Sequence, residues 1–257
     1  MNYTNKEMQV VMIARQIQDG QRVIVGTGLP LVGASLAKRT YAPRCCLLVE
    51  SGMVDGCPLE APTSVADLRF SSGASTLGET FRYFGMQNNN LRKPMMDLGF
   101  LGGAQIDPWG NLNSTSIGDY HHPQARFSGS GGANGIATYV NTVLMMQHQR
   151  RRFVKKLDYL TSPGWIDGPD GRQKMGLPAD RGPQVVITNL GLMRFDSETK
   201  RMYVAEYFPG VTPEEIQENT GFEIDTSRAV ESTPPEKECL EILRTQIDPA
   251  RMYIGKE

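Results

Sequence analysis

The tightest constraint on this chain is a pair of short apolar runs separated by a glycine-rich turn and an amphipathic stretch. Arg22-Val23-Ile24-Val25 is β-branched and strand-sized, and it leads into Gly26-Thr27-Gly28-Leu29-Pro30. Leu31 to Thr40 then carries Leu31, Ala34, Leu36 and Ala37 on one side, with Lys38 and Arg39 near its end, which is the spacing of a helix. Cys46 to Val49 forms the second run, cut off by Glu50-Ser51-Gly52. A short apolar run bounded by turn residues reads as a strand buried on both faces. Strand, turn, helix, strand is a βαβ opening, and it predicts an α/β fold. In open sheets of this kind, ligands collect just beyond the carboxyl ends of the strands. Glu50 stands at such an end and is the leading candidate for a reactive group. The alternative for the same residue is a carboxylate that caps a nearby helix or holds an ion pair.

At 257 residues the chain is long enough to bury a large core. With 39% hydrophobic residues, 21% charged residues and a net charge of -1, it has none of the basic excess that a nucleic-acid footprint requires. Met1 to Glu7 lacks the apolar region of a signal peptide, and no run approaches a membrane span, so neither membrane nor export is expected. Cys45, Cys46, Cys57 and Cys239 contain no CxxC pair and no histidine at ligand spacing. They read as packing residues in a reducing cytoplasm, with no metal site.

Elsewhere, Glu7 to Gln18 shows helical spacing at Met8, Val11, Met12, Ala14 and Ile17, with Asp19-Gly20 as its stop. Ser64 to Asp67 reads as helical or irregular, and Arg82-Tyr83-Phe84 as a short strand. Asp107-Pro108-Trp109-Gly110-Asn111-Leu112-Asn113 has strong turn chemistry. Ile136 to Met146 is expected to be a helix, opened by Gly129 to Gly135, with the Met145-Met146 pair in the core. Gln184 to Thr188, Leu192 to Phe195 and Met202 to Tyr207 read as strands. Thr212-Pro213-Glu214-Glu215 begins a helix with a capping box, and Lys237 to Arg244 gives a final one. With no repeat and no linker, one compact α/β domain over 1–257 is the simplest organisation.

Four stretches bear on chemistry. Gly26 to Gly33 misses the GxGxxG spacing, because its third glycine falls two positions late and Pro30 interrupts the turn. It is either a plain tight turn or backbone lining an acyl or CoA pocket. Gly129-Ser130-Gly131-Gly132-Ala133-Asn134 precedes a helix, where unshielded amides and the helix dipole could serve an oxyanion; a flexible loop is the alternative. His121-His122 and His148 read as loop residues rather than metal ligands. Arg150-Arg151-Arg152 with Lys155-Lys156 could attract CoA phosphates, or form a solvated helix face or subunit contact.

Val49-Glu50-Ser51-Gly52 and Gly129-Ser130-Gly131-Gly132-Ala133-Asn134 resemble two hallmarks of the class I CoA-transferases, the nucleophile segment and the later glycine loop. Gly26 to Pro30, Gly102 to Pro108, Ser114 to Pro123, Thr161 to Pro169 and Glu218 to Phe222 are similar to B-type subunits of that family. The resemblance runs from Tyr3 to about Arg251 and is weakest at 71–94 and after Ser232. It implies a multilayer α/β domain with a mainly parallel central sheet. It also implies a ping-pong reaction that moves CoA between a short acyl-CoA, such as acetyl-CoA, and a dicarboxylic acid such as glutaconate or 2-hydroxyglutarate. Glu50 would be the nucleophile, passing through a mixed anhydride to a glutamyl-CoA thioester. Gly131, Gly132 and Ala133 would form the oxyanion and acyl-CoA loop, and Thr27, Gly28 and Ser51 would line the substrate pocket. No permanently bound cofactor is implied; CoA is substrate and covalent intermediate. The partner implied is an A subunit, in an A4B4 hetero-octamer, without which the chain would be inactive. An acyl-CoA hydrolase, a glutaconyl-type CoA decarboxylase and a non-catalytic scaffold subunit are the alternatives on the same framework.

Overall fold

The computed structural model describes residues 2–64, 67–78 and 95–255. The expected strand Arg82-Tyr83-Phe84 and part of Ser64 to Asp67 lie outside those residues. The chain divides into two compact units, Met1–Phe100 with Thr233–Glu257, and Leu101–Ser232.

The first unit contains the βαβ opening. Helix α1, Asn5–Ala14, starts at a full capping box: the Glu7 amide donates to Thr4 Oγ1, and the Thr4 amide donates to the Glu7 carboxylate. The apolar periodicity points to a later start and an end at Gln18. In the structure the helix stops at Ala14, and Ile17 remains buried through the following turn. Strand β1, Arg22–Ile24, leads to helix α2, Leu29–Arg39, and then to strand β2, Cys46–Leu48. α2 starts two residues earlier than the periodicity suggests, because Pro30 occupies its first turn, where a missing N–H costs nothing. β1 and β2 are parallel, with Val23 opposite Leu47 and Ile24 opposite Leu48. α1 packs against α2 at Gly33, where any Cβ would overlap Ile13 Cγ2.

Beyond β2 the chain reverses into β3, Met53–Val54, and later β4, Thr76–Leu77, both antiparallel. β5, Leu98–Gly102, lies parallel to β1 on its other side, giving the order β4-β3-β2-β1-β5. Its entry is fixed by Asp97, which accepts from the Arg22 amide and from Arg22 Nε and Nη2. The C-terminal helix Lys237–Ile242 runs into a π-helical turn at Leu243–Ile247. From that turn Arg244 makes a two-point pair with Glu7, at 2.6 and 2.8 Å. Glu7 is fully buried, so the pair satisfies a carboxylate that could not otherwise stay inside.

The second unit begins with the hairpin β6 (Gln105–Ile106) and β7 (Leu112–Asn113), closed by the Asp107 to Asn111 turn. A second hairpin pairs β8, Ser116–Gly118, with β9, Pro123–Arg126. Helix α3, Ala133–Tyr139, follows the glycine loop and ends early; β10, Asn141–Met145, comes next. This corrects the expected single helix over Ile136 to Met146. Thr142, Val143 and Leu144 are buried in a strand parallel to β11, Pro183–Ile187. The basic cluster after Met146 lies in turns rather than on a helix face.

After the short α4, Gly171–Lys174, strand β11 pairs antiparallel with β12, Gly191–Phe195, which pairs antiparallel with β13, Met202–Tyr207. Helix α5, Pro213–Glu218, has its Thr212 side chain accepting from the Glu215 amide, and β14, Val230–Glu231, runs parallel to β13. The sheet order in this unit is β10-β11-β12-β13-β14. The architecture is mixed α/β, with the parallel pairs flanking β1 and β10 and antiparallel strands further out.

Candidate active site

Two of the predicted stretches leave the carboxyl ends of neighbouring parallel strands. Beyond β1 the chain makes the turn Gly26-Thr27-Gly28, and beyond β2 it makes the turn Glu50-Ser51-Gly52. The ladder continues past Ile24, since the Val25 amide donates to the Leu48 carbonyl at 2.9 Å. Thr27–Gly28 and Glu50–Ser51 therefore follow the carboxyl ends of adjacent strands of one βαβ unit.

The Glu50 turn is a three-residue hairpin loop. The Gly52 amide donates to the Val49 carbonyl at 2.9 Å, and the Val49 amide donates to the Met53 carbonyl at 3.1 Å. Gly52 has φ 93°, the left-handed conformation that closes such loops and that favours glycine. Glu50 is the first residue of the loop and is exposed. Among the described residues its carboxylate accepts no hydrogen bond and meets no cation. The cap and ion-pair alternatives have no partner here. Ser51 differs: its Oγ is buried and has no hydrogen-bond partner among the described residues, and a buried hydroxyl left unpaired costs about 1–3 kcal/mol.

Lys38, near the end of α2, holds the hairpin in place. Its Nζ donates to the Cys45 carbonyl at 2.7 Å and to Asp55 Oδ1 at 2.5 Å. Asp55 follows β3 in a left-handed conformation, φ 59°. Cys45 is buried, and burial pushes its thiol up to about 11, so it stays protonated and acts as packing. The Gly26-Thr27-Gly28 turn is open. A Cβ at Gly26 would meet nothing within 4 Å, and Gly28, φ 92°, caps α2 with no side-chain bond.

The glycine loop lies in the second unit and is anchored at both ends. Gly129 exchanges bonds with Ser114: its amide donates to the Ser114 carbonyl at 3.1 Å, and Ser114 Oγ donates to the Gly129 carbonyl at 3.1 Å. On the far side Asn134 Nδ2 donates to the Thr161 carbonyl at 2.9 Å. Thr161 Oγ1 in turn accepts from the Ser114 amide, so one threonine connects both anchors. Gly131 has φ 49° and open space around its Cα. The amides of Gly131 and Gly132 donate to no acceptor among the described residues. The Ala133 amide is already committed, donating to the Ser130 carbonyl at 2.8 Å. Of these three amides, those of Gly131 and Gly132 are thus open and that of Ala133 is engaged within the loop.

Sequence reasoning missed the Lys38 clamp, the Ser114–Thr161 anchor and Arg172. Arg172 is 1% exposed and donates to the carbonyls of Ala137, Thr138, Gly164 and Pro178, which ties the end of α3 to the turn after Thr161. Burial pulls its guanidinium down to about 10, still charged at neutral pH. Of the histidines, His121 and His122 are exposed, whereas His148 is buried between the hydroxyls of Thr188 and Thr220. No helix among the described residues is long and apolar enough to cross a membrane.

Comparison with known proteins places this geometry in a family. The family described as Coenzyme A transferase matches residues 6–219. The chain is 58% identical over 254 residues to the B subunit of glutaconate CoA-transferase from Acidaminococcus fermentans, covering 98% of this chain and 96% of that one. It is 40% identical over 248 residues to the B subunit of 3-oxoadipate CoA-transferase from Pseudomonas knackmussii, covering 94% and 92% respectively. The crystal structure of glutaconate coenzyme A-transferase from Acidaminococcus fermentans superposes with a TM-score of 0.96 at 57% identity, covering 100% of this chain and 99% of that chain. A strand-end glutamate and a glycine loop, both with groups unpaired among the described residues, thus stand on a chain that belongs to the coenzyme A transferase family.

Proposed function

We propose that this chain is the B subunit of a CoA-transferase that moves CoA between a short acyl-CoA, such as acetyl-CoA, and a dicarboxylic acid such as glutaconate or 2-hydroxyglutarate. The observation that carries the reading is Glu50, an exposed carboxylate with no hydrogen-bond or charge partner among the described residues. It stands at the end of a parallel strand in a chain 58% identical to a glutaconate CoA-transferase B subunit. Residues 1–257 act as one B-subunit domain.

The reaction splits one difficult exchange into smaller covalent steps. A Glu50 oxygen attacks the thioester carbonyl; the C–S bond breaks and CoA leaves as its thiolate, giving a mixed anhydride. The thiolate attacks the glutamyl carbonyl, and the acyl group departs as a carboxylate, leaving CoA on Glu50 as a thioester. The acceptor acid then runs the same steps in reverse and leaves as its CoA ester. The Gly131 and Gly132 amides are assigned to the oxyanion that each addition creates, where fixed donors stabilise developing charge without reorganisation. Ala133, whose amide is spent within the loop, starts α3 and sets the loop's direction. Thr27, Gly28 and Ser51 are assigned to the substrate pocket. Water must be kept out, because the anhydride and the thioester both hydrolyse. CoA serves as substrate and transient adduct, with no resident cofactor. The partner is the A subunit, in an A4B4 assembly in the cytoplasm.

The test is to purify the chain with its A subunit, add glutaconyl-CoA and trap the adduct with borohydride or hydroxylamine. Modification at Glu50, and loss of transfer in Glu50→Gln, are the expected results. Transfer that survives Glu50→Ala, or transfer by the chain without its A subunit, overturns the assignment.

A further inference from the structure

The Arg151 and Arg152 side chains do not sit on a solvated helix. They border a cavity of about 470 Å³ within the second unit, together with Ala104, Ile117, Ala125 and Phe127. That volume falls within the range of about 300–1,000 Å³ typical of small-molecule sites. The cavity has two chemically distinct sides. Ala104, Ile117, Ala125 and the half-exposed Phe127 ring make an apolar side, and two guanidiniums make a cationic one. Among the described residues no carboxylate lines it and neither arginine forms an ion pair. Their recorded bonds go to neutral oxygens: Arg151 Nε and Arg152 Nε to Gln149 Oε1, and Arg152 Nη1 to the Gly103 carbonyl. Each therefore keeps donors for an anion, and a guanidinium fork matches phosphate oxygens two at a time.

Phe127, on the wall of the cavity, stands shortly before the glycine loop in the chain. The Phe127 amide donates to the Thr115 carbonyl, and two residues on the Gly129 amide donates to the Ser114 carbonyl. Gly131 is four residues on from Phe127 and Gly132 five, which at no more than about 3.6 Å per residue puts both free amides within about 18 Å of the Phe127 backbone.

We propose that this cavity holds the phosphorylated adenosine end of coenzyme A, with the phosphates on Arg151 and Arg152 and the adenine against the apolar side that includes Phe127. The proposal rests on the CoA-transfer reading and adds to it the place where the nucleotide end of the substrate docks. A flat aromatic base suits the apolar side, and the multiply charged phosphates suit two unpaired guanidiniums.

The test uses the assembled A and B subunits and the variants Arg151→Gln and Arg152→Gln. Adenosine 3′,5′-bisphosphate is titrated calorimetrically, and steady-state transfer is measured with acetyl-CoA and with acetyl-pantetheine, which lacks the nucleotide. Each variant is expected to weaken bisphosphate binding and raise KM for acetyl-CoA by about tenfold, with kcat for acetyl-CoA and all kinetics with acetyl-pantetheine unchanged. Unchanged bisphosphate affinity, an equal effect on both thioesters, or weaker bisphosphate binding with an unaltered KM for acetyl-CoA overturns the proposal. Failure of the underlying reading shows separately, as acetyl-pantetheine transfer that persists in Glu50→Gln.

Discussion

Lys38 and Asp55 form a 2.5 Å ion pair that ties the end of α2 to the far side of the hairpin carrying Glu50. The pair is mostly shielded, with side chains 14% and 31% exposed, and the same ammonium holds the Cys45 carbonyl where β2 begins. One cation thus fixes both ends of the segment from Cys45 to Asp55. Lys38→Met removes both bonds and leaves Asp55 without its cationic partner. The expected cost is about 1.5–3 kcal/mol, measured as a fall in melting temperature of the assembled enzyme. Because the hairpin positions the nucleophile, kcat should also fall, by up to about a hundredfold. A destabilised variant with unchanged kcat would mean that the clamp supports the fold without orienting Glu50.

Gly52 sets the direction in which Glu50 leaves the strand. Its φ of 93° lies where a Cβ is disfavoured by about 1–2 kcal/mol. Its carbonyl also accepts from the Gly78 amide at 2.7 Å, which ties the loop to the end of β4. Gly52→Ala should therefore lose activity out of proportion to stability, since the strain is relieved by moving the loop. Steady-state kinetics beside thermal melting checks this. A variant that melts about 1–2 kcal/mol less stably but transfers CoA at the parental rate would contradict it.

The opening βαβ unit was legible because local pattern and tertiary role agree there: Val23, Ile24, Leu47 and Leu48 are all buried, and the glycine turn between the strands caps α2. The position of Glu50 beyond the end of β2 was legible for the same reason, because a carboxylate cuts off the apolar run there. Ile136 to Met146 was not. Its apolar residues fit a helix or a buried strand equally, and the break at Val140 is carried by no proline or glycine. Arg172 was also hidden. An arginine in Gly168-Pro169-Asp170-Gly171-Arg172 reads as a surface turn, and only the convergence of distant carbonyls reveals that it is inside. Lys38 carried a fair signal as a cation in the last turn of a helix, but its partner Asp55 is set by the hairpin's three-dimensional path.

Arg172 supplies a third prediction. Its donors satisfy the carbonyls of Ala137 and Thr138 at the end of α3, together with those of Gly164 and Pro178. Arg172→Met leaves those acceptors buried without partners, at a cost on the order of 3–5 kcal/mol. Arg172→Lys keeps the charge but loses the planar fork, and should recover only part of that stability. The ordering parent, lysine variant, methionine variant in melting temperature is the expected outcome. Equal melting of the parent and the lysine variant would show that charge, rather than the geometry of the fork, is what the site requires.

Asp107 makes stability depend on pH in an unusual direction. It is 8% exposed, and burial pushes its carboxyl up to about 6, against the opposing pull of bonds from the Trp109 amide and from the Asn111 amide and side chain. Between about pH 4 and pH 6 the folded chain holds a proton at Asp107 that the unfolded chain has already released. The unfolded state then binds fewer protons, so this contribution to stability is full below about pH 4 and is lost as pH rises through about 6. The loss over the whole window is roughly 3 kcal/mol. Asp107→Asn abolishes the titration while keeping the shape of the side chain. It should be less stable in itself, because its amide faces the Asn111 amide group that the carboxylate accepts from. The melting temperature of the parent relative to Asp107→Asn is therefore expected to decline steadily from about pH 4.5 to about 7. A difference that stays flat across that range, or one that grows with pH, would mean that Asp107 is already ionised at the lower end and that its three donors outweigh burial.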